Sequence, residues 1–328
     1  MREIYFLSYI PRSGSTFFSL LMNQYSDIIV TPEARFPKSL IGLSTSIFIK
    51  NEKMLFQYIN YIYTDYKFIE WQINKELLIR TVNKNLKIPF NTISLLKLIL
   101  NLYAEINNPR AKIIIFKQGI LSIFQRKTLI SKNIKVINII RNPNAIYLSQ
   151  KNARDSIFNF KMTYSSIAFS KSYNNYVKSI QKNMYNYSLK YEDLILNKKV
   201  TLYEIIKWLN VDSTLKNKND YIDKIPNRQK KLHKNLDSTP KNNSLNKWEI
   251  ELSKREINTI NNLCDDSLNV LDYERINVNS KFFYLPIFFD YYYDVLINKF
   301  IKRIIYILLK NKSIRQKIII IYSKIRKW

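Results

Sequence analysis

Residues 3–24 spell a strand, a tight loop and a helix in succession, and this arrangement constrains the fold more than any other feature of the chain. Glu3 to Ile10, EIYFLSYI, is an apolar run rich in β-formers; Pro11 to Thr16, PRSGST, is turn sequence; FFSLLMNQY then sets apolar residues at helical spacing. Gly14 is one of only three glycines in 328 residues, against a usual share of about 7%. Its use here marks a backbone position that a side chain cannot occupy. A loop of this kind ahead of a helix N-terminus offers backbone N–H groups and the positive end of the helix dipole to an anion. Arg12, Ser13, Ser15 and Thr16 add side-chain donors, and an ordinary strand-to-helix turn is the alternative.

Further along, Asp27 to Thr31 forms a second short strand that stops at Pro32-Glu33. Residues 36–108, with MLFQYINYIY and TISLLKLILNLYAEI, are predicted to be helical and to form a lid or substrate-facing subdomain rather than core sheet. KIIIF (Lys112 to Phe116) and KVINII (Lys135 to Ile140) suit strands buried on both faces. Ligands of open parallel sheets lie beyond the carboxyl ends of the strands, so Lys117, Arg141 and Glu33 are expected to converge on the Pro11 to Thr16 loop. Tyr185 to Leu189 is a further strand that runs into Lys190 to Leu194, and Lys199 to Leu209 is an amphipathic helix. Asp212 to Lys247 has nine Lys and Arg without periodicity and is expected to be a basic loop. Ser253 and Glu256 spell a capping box for a helix to Leu271. The alternation predicts an α/β fold of three layers around a central parallel sheet. One domain is expected over 1–275, with a helical insertion at about 36–110 and a C-terminal helical extension over 276–328.

Composition closes off several classes. Hydrophobic residues make up 46%, enough for a sizeable core. A single cysteine, Cys264, excludes a disulfide framework, and with a single histidine, His233, it excludes a Cys/His zinc site. Cys264 fits a small core residue. The opening segment carries Arg2 and Glu3 and lacks an export pattern, so a cytoplasmic location is expected. The net charge of +28 would suit a polyanionic partner. The Lys, Asn, Ile and Tyr crowding explains much of it as usage bias on solvated faces, and no nucleic-acid motif is present, so no nucleic-acid partner is expected. The segment 281–328 interleaves eleven Lys and Arg with KFFYLPIFFDYYY and KIIIIYSKIRKW. It suits either peripheral contact with an anionic membrane or packing on the main domain.

A second anion-binding element follows the strand at Ile140. Pro143 suits the first position of a helix, and Ser149 lies on the second turn, where its side chain leans back towards Arg141. The first loop is no Walker A sequence, and no carboxylate follows KVINII to hold magnesium, so a metal-free nucleotide site is implied. With Pro11 to Thr16, Arg141-Asn142-Pro143 with Ser149, the YEDL of Tyr191 to Leu194, and Trp248 ahead of a helix towards Tyr273, the chain resembles the sulfotransferases that use 3′-phosphoadenosine-5′-phosphosulfate (PAPS), in their bacterial and tyrosylprotein-like branch. The resemblance implies a P-loop NTPase-like fold. It implies that residues 11–16 hold the 5′-phosphosulfate, that Arg141 and Ser149 hold the 3′-phosphate, and that Tyr191 lies by the adenine. Lys241 is the one residue before Trp248 that could stand in for a further 3′-phosphate cation. Residues 36–110 and 274–328 carry no part of the resemblance.

The same resemblance implies transfer of a sulfuryl group to a hydroxyl acceptor, with PAPS and its product 3′-phosphoadenosine-5′-phosphate (PAP) as ligands and no metal. Glu33, in TPEAR, matches the family's glutamate base; His233 is an alternative, as is a structural Glu33 paired with Arg35. Arg12 and Lys117 are the expected stabilisers of the leaving group and sulfuryl oxygens. The basic loop and tail point to a glycan or glycolipid as the acceptor. A P-loop nucleotide kinase and a non-catalytic membrane-surface or polyanion-binding protein are the competing readings.

Overall fold

The computed structural model describes residues 2–34, 36, 48–153, 162–163, 165–180, 185–212, 214–215, 245–275, 289, 291–292 and 296. The chain divides into two compact units, one of Met1–Asn142 with Asn175–Lys247, the other of Pro143–Asn174 with Trp248–Trp328.

The first unit is built on five strands: β1 (Glu3–Tyr9), β2 (Ile28–Val30), β5 (Ile113–Lys117), β6 (Lys135–Ile140) and β7 (Asn186–Lys190). They lie in the order β2-β5-β1-β6-β7, and every pairing is parallel. From β1 the chain goes out to the β2 edge, returns through β5, then crosses β1 to β6 and β7. The connections therefore diverge at β1, which places a crevice at the carboxyl ends of β5, β1 and β6. Register fixes the details: Leu7 lies between Lys117 and Ile137, and Tyr9 lies opposite Ile139.

Both faces of this sheet are apolar, as its β-branched strands require. On one face Tyr5, Leu7, Tyr9, Ile115, Ile137 and Ile139 pack with α1 (Ser15–Met22) and with the later helices α9 (Tyr191–Leu196) and α10 (Lys198–Leu209). On the other, Phe6, Ile114, Phe116 and Val136 pack against residues of α2 (Glu52–Ile62), α4 (Lys75–Asn85) and above all α5 (Thr92–Asn107), with Trp71 just beyond the short α3 (Tyr66–Ile69). Residues 48–107 therefore form a helical layer on that strand face rather than a lid, and share the cover with Leu121, Leu129 and Ile134. A two-residue antiparallel pair, β3 (Phe48–Ile49) with β4 (Phe90–Asn91), interrupts that block. It is too short to leave a period in the sequence. The helix α6 (Ile123–Ile130), started by a Ser122–Gln125 capping box, leads into β6.

The second unit contains α7 (Pro143–Asn152), α8 (Ser166–Ser179) as far as Asn174, α11 (Lys247–Glu251) from Trp248, α12 (Lys254–Leu263) and α13 (Asp265–Val270). Pro143 opens α7 as expected, and the Ser253–Glu256 capping box opens α12. Glu256 also accepts from Tyr147 at 3.0 Å and Lys151 at 2.9 Å. The helix expected to run to Leu271 breaks at Cys264, which is buried with its sulfur 4.0 Å from the Ser170 carbonyl. No helix among the described residues is long and apolar enough to cross a membrane.

Candidate functional site

The loop after β1 adopts the backbone its sequence anticipates. Arg12 and Gly14 both take positive φ, 77° and 88°, and the Ser13 N–H closes a turn onto the Ile10 carbonyl at 3.1 Å. Gly14 caps α1 without a side chain, and no acidic residue occupies the first turn, so the positive helix end meets no carboxylate of its own. Glycine is obligatory here for a second reason: a Cβ would come within 2.1 Å of the Tyr191 ring.

Tyr191, the first residue of α9, organises the site. Its ring packs edge-on to Phe17 of α1 and lies under the Arg141 guanidinium, 4.4 Å from its centroid. Arg141 in turn donates from Nη1 to the Arg12 carbonyl at 2.9 Å, and Glu192 accepts from the Asn142 N–H at 3.0 Å. The corner after β6, the loop after β1 and the start of α9 thus form one connected group. Burial, with Arg141 close by, lowers the pKa of the Arg12 guanidinium, and burial raises that of the Tyr191 phenol against the pull of Arg141. Two guanidinium groups side by side are the donor set expected for a multiply charged anion.

At the end of β5, Lys117 is buried and donates from Nζ to the Thr16 hydroxyl at 3.0 Å, with its ammonium 5.7 Å from the centre of the Tyr9 ring. It is therefore fixed at the loop, not solvated. Glu33, in the stretch after β2, forms an ion pair with Lys67 at 2.8 Å. Lys67 is itself held by Asp65, which accepts its N–H at 3.1 Å and that of Phe36 at 2.9 Å. One partner of Glu33 is thus a lysine from the helical layer; Arg35 lies outside the described residues.

Around this crevice the Ser13 hydroxyl and both amide atoms of Gln118 are buried without hydrogen bonds, and the buried Tyr9 hydroxyl has Ser15 beside it. Each such group costs roughly 1–3 kcal/mol in a closed core. Their concentration at the ends of β1 and β5 marks a place where polarity is kept at the expense of stability. The Tyr9 phenol has its pKa pushed well up, by burial first and then by Glu33.

The structure places Arg12, Ser13, Gly14, Ser15, Thr16, Glu33, Lys117, Arg141 and Tyr191, the residues singled out in the sequence, in one unit at one end of one sheet. Ser149 falls on α7 in the second unit, and Lys241 and His233 lie outside the described residues. Tyr9, Lys67 and Gln118 went unnoticed. Tyr9 has the look of one more core position of an apolar strand, Lys67 of one more lysine in a lysine-rich chain, and only the turn glycine Gly119 flags Gln118.

The residues present fit an anionic nucleotide: guanidinium groups at two loops, a lysine and hydroxyls at the first, and an orphaned serine within it. No family model matches the chain, and no curated protein matches its sequence. Solved structures similar to it in fold include the sulfotransferase domain from the curacin biosynthetic pathway, at 14% identity over 84% of this chain and 99% of that one, with a TM-score of 0.47. The sulfotransferase domain of the Synechococcus PCC 7002 olefin synthase is similar at 17% identity over 84% and 95%, with a TM-score of 0.47. Mouse sulfotransferase SULT7A1 complexed with PAP is similar at 13% identity over 81% and 85%, with a TM-score of 0.43.

Proposed function

We propose that the chain is a sulfotransferase that moves a sulfuryl group from PAPS to a hydroxyl acceptor, with a glycan or glycolipid as the acceptor class. The observation that carries the reading is the linked group of Arg12, Arg141, Tyr191 and the Lys117–Thr16 pair around an uncapped helix start. It gathers three cations at one crevice without a magnesium-binding carboxylate in its strand ends. The donor, when bound, supplies a sulfuryl group on a good leaving group, so the protein's task is positioning and charge stabilisation.

In this reading the first-turn N–H groups of α1 and the Arg12 guanidinium hold the phosphosulfate end, and Arg141 on its Tyr191 platform holds the 3′-phosphate end. Lys117, kept in place by Thr16, faces the negative charge that grows on the sulfuryl oxygens and the bridging oxygen. Glu33 takes the acceptor's proton; its pairing with Lys67 holds it in place. The buried Tyr9 phenol, with its ring near Lys117 and its hydroxyl under the influence of Glu33, has its proton secured by burial and serves as a neutral donor to the reacting oxygens. Peripheral contact of residues 281–328 with an anionic membrane would bring the enzyme to a lipid-linked acceptor.

Calorimetric titration of the full chain with PAP in the absence of magnesium tests the reading. Micromolar binding, weakened at least tenfold in Arg141→Ala, is expected. Binding of ATP with magnesium in place of PAP would overturn it in favour of a kinase.

A further inference from the structure

Arg126, at the centre of α6, is 2% exposed. Its guanidinium donates from Nη2 to the Ser8 hydroxyl at 2.9 Å, from Nη1 to Asn138 Oδ1 at 2.8 Å and from Nε to the Ser179 hydroxyl at 3.1 Å. The Tyr176 ring lies 5.9 Å from it, and the Tyr176 hydroxyl is within hydrogen-bond distance of the carbonyl oxygens of Ser8 (2.9 Å) and Ile139 (3.1 Å). All these partners are neutral; among the described residues no carboxylate is paired with this cation. Burial lowers the Arg126 pKa and Tyr176 opposes it, but a guanidinium stays charged at any working pH.

A buried, uncompensated positive charge is expensive, and an arginine cannot escape the cost by losing its proton. If the task were only to tie β1, β6 and α8 together, a carboxylate at Asn138 or Ser8 would tie them more cheaply. What distinguishes the location is its distance from the crevice. Ser8 is three residues before Pro11, and Asn138 is three before Arg141. At the rise of a strand that puts both loops about 10 Å further along, and a ligand anion about 10–15 Å from the charge.

We propose that Arg126 is a positioning residue whose uncompensated charge raises the positive potential at the carboxyl ends of β1 and β6 and so selects doubly phosphorylated nucleotides over singly phosphorylated ones. The inference rests on the nucleotide site proposed above. It differs from the contact roles of Arg12 and Arg141 in acting through the sheet without touching the ligand, so its effect scales with ligand charge. At an effective dielectric of about 20, a unit charge 10–15 Å away alters affinity by roughly five- to fifteenfold. Solvent at the open end of the crevice reduces this to about threefold for a monophosphate, and doubling the ligand's charge squares that factor.

The test compares PAP and adenosine 5′-monophosphate by calorimetry on the full-length wild type, Asn138→Asp and Arg126→Met. Asn138→Asp is the sharper variant. It keeps the Nη1 contact and places a carboxylate against the guanidinium, at the cost of two longer contacts from Asn138 Nδ2 to the Tyr187 carbonyl and the Ser188 hydroxyl at 3.3 Å. The expected result is a loss of about threefold for the monophosphate and about tenfold for PAP, with a melting temperature no lower than wild type. Arg126→Met should show the same ratio of losses whatever it does to stability. Unchanged affinities in Asn138→Asp, or equal losses for both nucleotides, would overturn the proposal and leave Arg126 a structural tie. A wild type that binds neither nucleotide would overturn the nucleotide site itself, and this inference with it.

Discussion

Gly14 and Tyr191 illustrate how tightly single residues are specified around the loop. A methyl at Gly14 meets both a left-handed backbone and the Tyr191 ring 2.1 Å away. Gly14→Ala is expected to cost about 1–2 kcal/mol from the backbone alone, and more from the ring. In the Gly14→Ala/Tyr191→Ala double variant the ring's share should disappear, so that denaturant titrations show a double-mutant loss below the sum of the two single losses. Tyr9→Phe removes a buried hydroxyl that has Ser15 beside it, and is expected to change stability by no more than about 1 kcal/mol, while sulfuryl transfer falls if that hydroxyl serves the reacting oxygens. Glu33→Gln should leave PAP affinity within about twofold and reduce turnover by roughly 100-fold or more, the scale of a lost general base. At this scale the loop was legible because its glycine, proline and hydroxyls carry local rules. The Glu33–Lys67 pair was not, because it joins the end of one strand to a helix more than thirty residues away and neither end has a local signature.

Elements follow their sequence where the rule is local and depart from it where packing decides. The capping boxes at Ser122 and Ser253 and the proline opening α7 rest on neighbouring residues alone. The layer role of residues 48–107 needed knowledge of which sheet face they pack on, which periodicity does not contain. That role makes α5 a core helix, and Leu96→Ala, with its side chain buried against the sheet cluster, should destabilise the first unit by about 2–5 kcal/mol in urea titration. In the second unit, burial pulls the Glu256 carboxyl up, while Lys151 and the Ser253 backbone and hydroxyl pull it further down, so its pKa ends below its ordinary value of 4.5. A depressed carboxyl stabilises the fold above its unfolded pKa and loses that contribution as the pH falls through the folded one. Thermal melts from pH 7 to pH 3 should therefore show a steeper acid loss for wild type than for Glu256→Gln, whose stability starts lower and falls less.

On the scale of the whole chain, three of the site-bearing corners belong to three adjacent strands, β5, β1 and β6, whose alignment is set by a ladder in which Leu7 faces Lys117 on one side and Ile137 on the other. A slip of one residue along β1 would send Tyr9 to the opposite face and take Thr16 out of reach of Lys117. The consequence is an insertion map. One residue added to or removed from β1 or β5 should abolish ligand binding even in a protein that still folds, whereas the turn between α4 and β4 lies away from that ladder and from Lys67 and should tolerate changes of length. Lineages of such a chain would then diverge in size through the helical layer and keep the spacing of the three central strands to the residue.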